Sequence, residues 1–303
     1  VTTADEAAEG GRYFAAERVD VICAIAASWF EDYLLLDLLE ECPAPLIAWA
    51  RPGMETGSLC GMQQLGFMLR ALGRPHHLLF AAPEDDAALA EARSYALAAA
   101  LRQRLRRARI GLLGHHAAGM TETAAHELAL RQLFGSRIVH LDVPTFLARA
   151  AQVAPDGVAA QMEKLHAGVG QVAAAPDAVV ESLQVAAALR EVVQEEGLAA
   201  VAVGCYPHLM GKVCLAASLL AEEGVPVACE GDVNGALGML ILSRLCGGAV
   251  HNTDLLDPIP AGEQANVARC DIVFSHCGSG GFSLAADRTQ IRLAPVRLMN
   301  QGC

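Results

Sequence analysis

Short, almost unbroken apolar runs alternate with helix-length patterns along most of the chain, and this alternation restricts the fold more than any other feature. Helical periodicity over residues 4–18, 32–41 and 58–72 is separated by strand-like runs at 19–24, 45–49 and 77–81. A long Ala-rich helix then opens at Pro83 and Asp85 and runs to about 107. Strands that are apolar on both faces need cover on both sides, so the expectation is a parallel sheet between helix layers. A second set begins at Arg109, with strands at 110–114, 137–141 and 198–203, another ending at Cys229, and helices at 121–134, 143–151, 177–196 and 210–223. A polar, small-residue insert is expected over 155–175. After Asp254 the pattern changes to short strand-like runs, 271–275 and 291–293, between Gly, Pro and Ser clusters. The expected fold class is therefore α/β: open parallel-sheet domains over 1–108 and 109–248, then the start of a β-rich region over 249–303.

A chain of 303 residues with 53% hydrophobic content buries a large core. Its formal charge of −12 argues against an extended nucleic-acid or anionic-membrane surface. The one basic run, Arg102 to Arg109, ends a helix and reads as solvation of that end. The ten cysteines lie mostly in apolar runs and form no CxxC pair, which points to reduced core residues. With no signal-like segment or uninterrupted membrane-spanning run, a cytoplasmic location is expected. The opening VTTADEAAEG reads as the interior of a domain, and RLMNQGC closes the chain directly after a strand, so a fragment of a longer polypeptide is expected.

Chemistry concentrates in VACEGDVNGALGMLILSRLCGGAVHNTDLLD, residues 227–257. Glu230 is expected at the end of one buried strand. A helix follows over 234–246, and a second short strand over 249–253 delivers Asp254 to the same sheet edge. Two carboxylates beside so much Val, Leu and Ile are costly to bury ionised, and a divalent metal between them would resolve the cost. Asp232 and Asn234 add oxygen donors. The competing reading is plain helix capping by Asp232 or Asn234, with Glu230 solvated at a strand end. His115, His116 and His208 stand at strand ends as cleft-lining candidates against surface or capping roles. Cys205 and Cys277 are possible substrate contacts, but small buried hydrophobes are the safer reading. Gly111-Leu112-Leu113-Gly114 lacks the GxGxxG spacing, which argues against a dinucleotide site.

The motifs EGDVNGALGMLILSRLCGG, DLLDP and FSHCGSGGFSLA, between about residues 199 and 285, resemble the core of the L-fucose isomerase family and its L-arabinose isomerase relatives. Over 1–198 the resemblance is architectural. It implies two flavodoxin-like domains and a β-rich carboxyl-terminal domain. It further implies a metal-dependent aldose–ketose isomerase in which Glu230 and Asp254 bind manganese and form the acid/base pair. Mg²⁺ and Co²⁺ are alternatives to Mn²⁺. His276 is the candidate extra ligand or substrate contact, and Asp232 and Asn234 are further substrate candidates. In that family a neighbouring subunit's first domain closes the site, a role for Trp29 or Trp49 against core packing, and the assemblies are trimers or hexamers. The expected partner is a free sugar such as L-fucose, D-arabinose or L-arabinose. The runner-up is a carbohydrate-binding or regulatory protein without turnover.

Overall fold

The computed structural model describes residues 1–260, 270–276, 280–295, 297–298 and 301–302. The chain divides into two compact units, Val1–Arg104 and Leu105–Cys303.

In the first unit α1 (Ala4–Glu17) is capped by the Thr3 hydroxyl, which accepts from the Glu6 N–H. It ends where Arg18 turns left-handed at φ 55°. That turn consumes residues 18–21, so the first strand begins later than the apolar run does. β1 spans Ile22–Ala26, followed by α2 (Tyr33–Glu41), β2 (Leu46–Ala50), α3 (Ser58–Ala71), β3 (His76–Phe80) and α4 (Asp86–Leu105). The three strands are parallel in the order β1-β2-β3. β2 is buried along its whole length, as expected for the central strand. Its Ala48 and Leu46 pack with Leu38, Leu65 and Leu69 from the helices. Ser58, fully buried, donates to the Ala26 carbonyl at 2.8 Å and accepts from the Arg51 N–H at 2.8 Å, tying the carboxyl ends of β1 and β2 together.

The second unit continues with β4 (Arg109–Leu113), α5 (Glu127–Phe134), β5 (Arg137–Leu141), α6 (Val143–Gln152), α7 (Ala159–Gly168), β6 (Gln171–Val172) and α8 (Pro176–Glu196). Then come β7 (Ala200–Val203), α9 (Cys214–Glu222), β8 (Val227–Ala228), α10 (Val233–Cys246), β9 (Asp254–Pro260), β10 (Cys270–Ser275) and β11 (Arg292–Leu293). The main sheet is parallel, in the order β5-β4-β7-β8. This is the order of the first four strands of a flavodoxin-like sheet. α8 packs against α6 and α9, while α10 crosses β4, β7 and β8. The core between α8 and the sheet holds Leu113, Val201 and Val203 against Ala186, Leu189 and Leu220.

Several sequence expectations are corrected. The insert over 155–175 contains α7 and β6, and β6 pairs in parallel with β11. Val158 and Leu165 of this segment bury against Val179 and Leu183 of α8, with Phe282 and Leu293 packed on them, so a few branched aliphatics among small residues suffice for a satellite core. The helix expected at 121–134 is α5 alone, started by His126, whose Nδ1 accepts from the Ala129 N–H at 3.0 Å. The helix expected from 210 begins at Cys214, because residues 205–213 close turns first, Leu209 N–H to the Cys205 carbonyl and Lys212 N–H to the Leu209 carbonyl. Residues 249–253 are not a strand. Gly247, left-handed at φ 70°, ends α10, and regular pairing resumes only in the antiparallel β9–β10 hairpin. Among the described residues, no helix is long and apolar enough to cross a membrane.

Candidate active site

In the second unit the chain passes from β4 outward to β5 and then returns to β7 on the other side of β4. In open α/β sheets the crevice for ligands lies outside the carboxyl ends at such a reversal. A cleft of about 550 Å³ occupies that place, with Gly114, His115, Asp142, Gly204, Tyr206 and His208 among its walls. Leu141, Val143 and Leu147 give it an apolar floor. The loop after β4 lies directly on two glycines. A Cβ on Gly204 would overlap the His115 carbonyl, and one on Gly231 would sit 2.6 Å from the same oxygen. The Gly204 N–H donates to the Leu113 carbonyl at 2.8 Å and the Ala117 N–H to the Glu230 carbonyl at 2.9 Å, which pins the loop to the ends of β7 and β8.

Two groups in this cleft have defined electrostatics. His115 Nδ1 lies 2.7 Å from the His116 carbonyl, which can only accept, so Nδ1 carries the proton and Nε2 of the neutral ring is an acceptor. Asp142 caps α6, and the Thr145 hydroxyl at 2.7 Å and backbone N–H at 2.8 Å hold its carboxyl below the ordinary value. With the folded value depressed, that stabilising contribution is present above the ordinary carboxylate range and is lost as falling pH protonates the group.

Glu230 stands at the carboxyl edge just past β8, half-buried, with φ 62°. For a residue other than glycine the left-handed conformation costs about 1–2 kcal/mol, a cost that tends to persist at functional positions. The next residue, Gly231, is also left-handed at φ 71°, so the chain turns sharply from β8 into α10. Asp232 caps that helix, its Oδ1 accepting from the Gly235 N–H at 2.7 Å. Capping therefore accounts for Asp232. Asp232→Ala is expected to lower unfolding stability by about 1 kcal/mol, measured by urea denaturation. Asn234 is exposed in the first turn of α10 and lines a different depression, a groove of about 410 Å³ between α5 and α10.

Asp254 and His276 come together across the β9–β10 hairpin. Ser275 pairs with Asp254, and His276 Nε2 lies 4.0 Å from Asp254 Oδ2. The imidazole is 3% exposed and the carboxylate 63%. Residues 250–252 pass beside Val227 of β8, α9 and α10 on their way to this hairpin. Among the described residues no three His, Cys, Asp or Glu side chains are grouped so as to hold a metal ion. Glu230, Asp254 and His276 thus do not make up a three-donor centre.

The aromatic candidates of the first unit separate cleanly. Trp49 is 3% exposed in β2 and donates through Nε1 to the Ala81 carbonyl at 2.9 Å, so it is core. Trp29 is 51% exposed just past the carboxyl end of β1, its Cβ 3.0 Å from where a Cβ on Gly57 would lie. Cys205 is buried in the core, and Cys277 lies outside the described residues. Tyr206 and Asp142 were not among the residues expected at a site. The signal available for both was their place immediately after an apolar strand run.

No protein-family model matches the chain. It is similar to several proteins named sulfoquinovose isomerase. That of Alkalicoccus urumqiensis is 29% identical over 255 residues, covering 81% of this chain and 56% of that protein. That of Clostridium sp. (strain MSTE9) is 26% identical over 283 residues, covering 87% and 61%. That of Priestia megaterium is 23% identical over 282 residues, covering 90% and 62%. The chain thus spans between 56% and 62% of the length of these curated relatives, all of them named as sugar isomerases.

Proposed function

We propose that the chain is part of an aldose–ketose isomerase whose substrate is sulfoquinovose, an aldose bearing a sulfonate, rather than L-fucose or an arabinose. The observation that carries the reading is Glu230. A carboxylate is held in a costly backbone conformation at the carboxyl edge of a parallel sheet, in the chain segment that resembles sugar isomerases, and the relatives carry the sulfoquinovose isomerase name. Isomerisation moves a proton between adjacent carbons and between their oxygens through an ene-diol. In this reading Glu230 takes the carbon-bound proton and returns it to the neighbouring carbon. Asp254, with the His276 imidazole beside it, manages the hydroxyl protons. The cleft of His115, Tyr206 and His208 binds the rest of the sugar, its apolar floor against the ring carbons.

Mn²⁺ remains the proposed cofactor: Glu230 and Asp254 would be its donors, and when bound it would supply electrostatic stabilisation of negative charge on the ene-diolate. The described residues do not group three donors for it, so the proton transfers are assigned to the side chains alone. Metal analysis of the purified protein tests the cofactor: manganese at one per chain, lost in Asp254→Asn, supports it, and equal metal in the variant counts against Asp254 as a donor.

The function is tested by incubating the protein with sulfoquinovose, L-fucose, D-arabinose and L-arabinose in Mn²⁺ and measuring ketose. Sulfoquinovose is expected to turn over best. The ungrouped donors favour a second reading, a sugar-binding protein without turnover. Saturable binding of sulfoquinovose with no ketose from any of the four sugars would establish that reading instead.

A further inference from the structure

Two thiols lie directly beneath the candidate site. Cys205 follows β7 and Cys229 follows β8, and their sulfurs are 3.3 Å apart. The residues are 2% and 8% exposed and belong to one apolar core with Val203 and Leu209. The β7–β8 register places Cys229 level with Val203, two residues before Cys205, so the sulfurs meet diagonally across the strand ends. Each cysteine also has a consequential neighbour. Cys229 precedes Glu230 with its left-handed backbone, and Cys205 precedes Tyr206 in the cleft wall.

We propose that Cys205 and Cys229 form an oxidisable dithiol that takes a small peroxide and closes to a disulfide, displacing the backbone that holds Glu230. The proposal is independent of the isomerase reading. One sulfur, as thiolate, attacks a peroxide oxygen. The O–O bond breaks, a sulfenic acid forms, and the leaving hydroxide takes a proton to become water. The second thiol then displaces the sulfenic hydroxyl, again as water, and the S–S bond forms. The two sulfurs together lose two electrons to one hydrogen peroxide, and two waters leave. Closing from the 3.3 Å contact to a bond of about 2.05 Å draws the sulfurs together by about 1.3 Å. A core packed at crystal density transmits such a movement to the flanking backbone. The cysteine carbonyls themselves accept from the Leu209 N–H at 2.8 Å (Cys205) and the Asp232 N–H at 3.0 Å (Cys229), and next to them the Ala117 N–H to Glu230 carbonyl and Gly231 N–H to Val203 carbonyl bonds, both 2.9 Å, locate Glu230.

The test uses the folded chain, reduced, desalted and exposed to hydrogen peroxide, with remaining thiols then alkylated. Trypsin leaves Cys205 as the one cysteine of peptide 191–212 and puts Cys229 with Cys214 in peptide 213–244, so fragmentation assigns the partner. The expected result is a Cys205–Cys229 cross-link about tenfold above the reduced sample, removed by dithiothreitol. Hydrogen exchange over residues 230–235 should rise about threefold in the cross-linked form. Cys205→Ala and Cys229→Ala should each abolish both changes. Both residues remaining alkylated, Cys205 linked to Cys214 instead, or a Cys205–Cys229 link that leaves exchange at 230–235 unchanged would each overturn the proposal. The unmodified chain alone decides the result should either variant fail to fold.

Discussion

Glu230→Gln is expected to lower kcat/KM for ketose formation about 10³-fold, or about 4 kcal/mol of transition-state stabilisation, with little change in unfolding midpoint. Glutamine has nearly the shape of glutamate and meets the same left-handed backbone requirement, so the turn from β8 into α10 is retained. What it loses is the ability to accept a proton from carbon. The loss should fall on kcat with KM near its original value, because a group that acts on the reacting proton contributes mainly in the transition state. Rates measured with sulfoquinovose, alongside circular dichroism and urea unfolding of both proteins, separate chemistry from folding. A variant that turns over within about threefold of the parent would remove Glu230 from the mechanism. A large loss accompanied by a lowered midpoint would point to the turn instead.

The sheet and its helices were legible because aliphatic runs bracketed by polar helical faces leave few ways to be buried. β2, β4, β5 and β7 fall within two residues of their expected positions. The carboxyl-edge location of Glu230 was legible for the same reason: it is the first charged residue after the buried Val227, Ala228 and Cys229. The path to Asp254 was not. The run Ala249 to Thr253 has strand-like composition, but composition does not reveal whether a neighbouring edge offers regular pairing, and the left-handed Gly247 and the hairpin after Asp254 decide it. The cleft wall was legible in part: His115 and His208 were expected to line a cleft from their places at strand ends and do so, whereas His116 is not among its lining residues and Asp142 and Tyr206 were not expected there. These residues come from three separate loops, and the strand order β5-β4-β7 that gathers them is a long-range property without a local signature. Trp29 and Trp49 illustrate the same limit within one unit. Both stand near strand ends, and burial alone distinguishes the core indole from the exposed one.

The same edge supplies the largest expected effect on stability. Gly231→Ala should cost about 3 kcal/mol, against the 5–15 kcal/mol typical of a folded domain. Two terms add. A side chain at φ 71° carries the left-handed penalty of about 1 kcal/mol. The new Cβ would lie 2.6 Å from the His115 carbonyl oxygen and 2.7 Å from both the His115 carbonyl carbon and the His116 Cα. These are backbone atoms and cannot rotate aside as a side-chain tip would, so relief requires moving the whole β4 loop, an overpacking cost of about 2 kcal/mol. Gly238→Ala provides the opposing case in the adjoining helix. A Cβ there meets nothing within 4 Å, and the position is inside α10. Alanine should therefore stabilise by about 0.5–1 kcal/mol through the lower backbone entropy of the unfolded chain. Urea unfolding of the two variants beside the parent, compared at equal m-value, should place Gly238→Ala above it and Gly231→Ala well below. Equal midpoints for Gly231→Ala and the parent would mean that the loop does not rest on this turn, and the close approach of the His115 carbonyl to Gly231 would lose its physical basis.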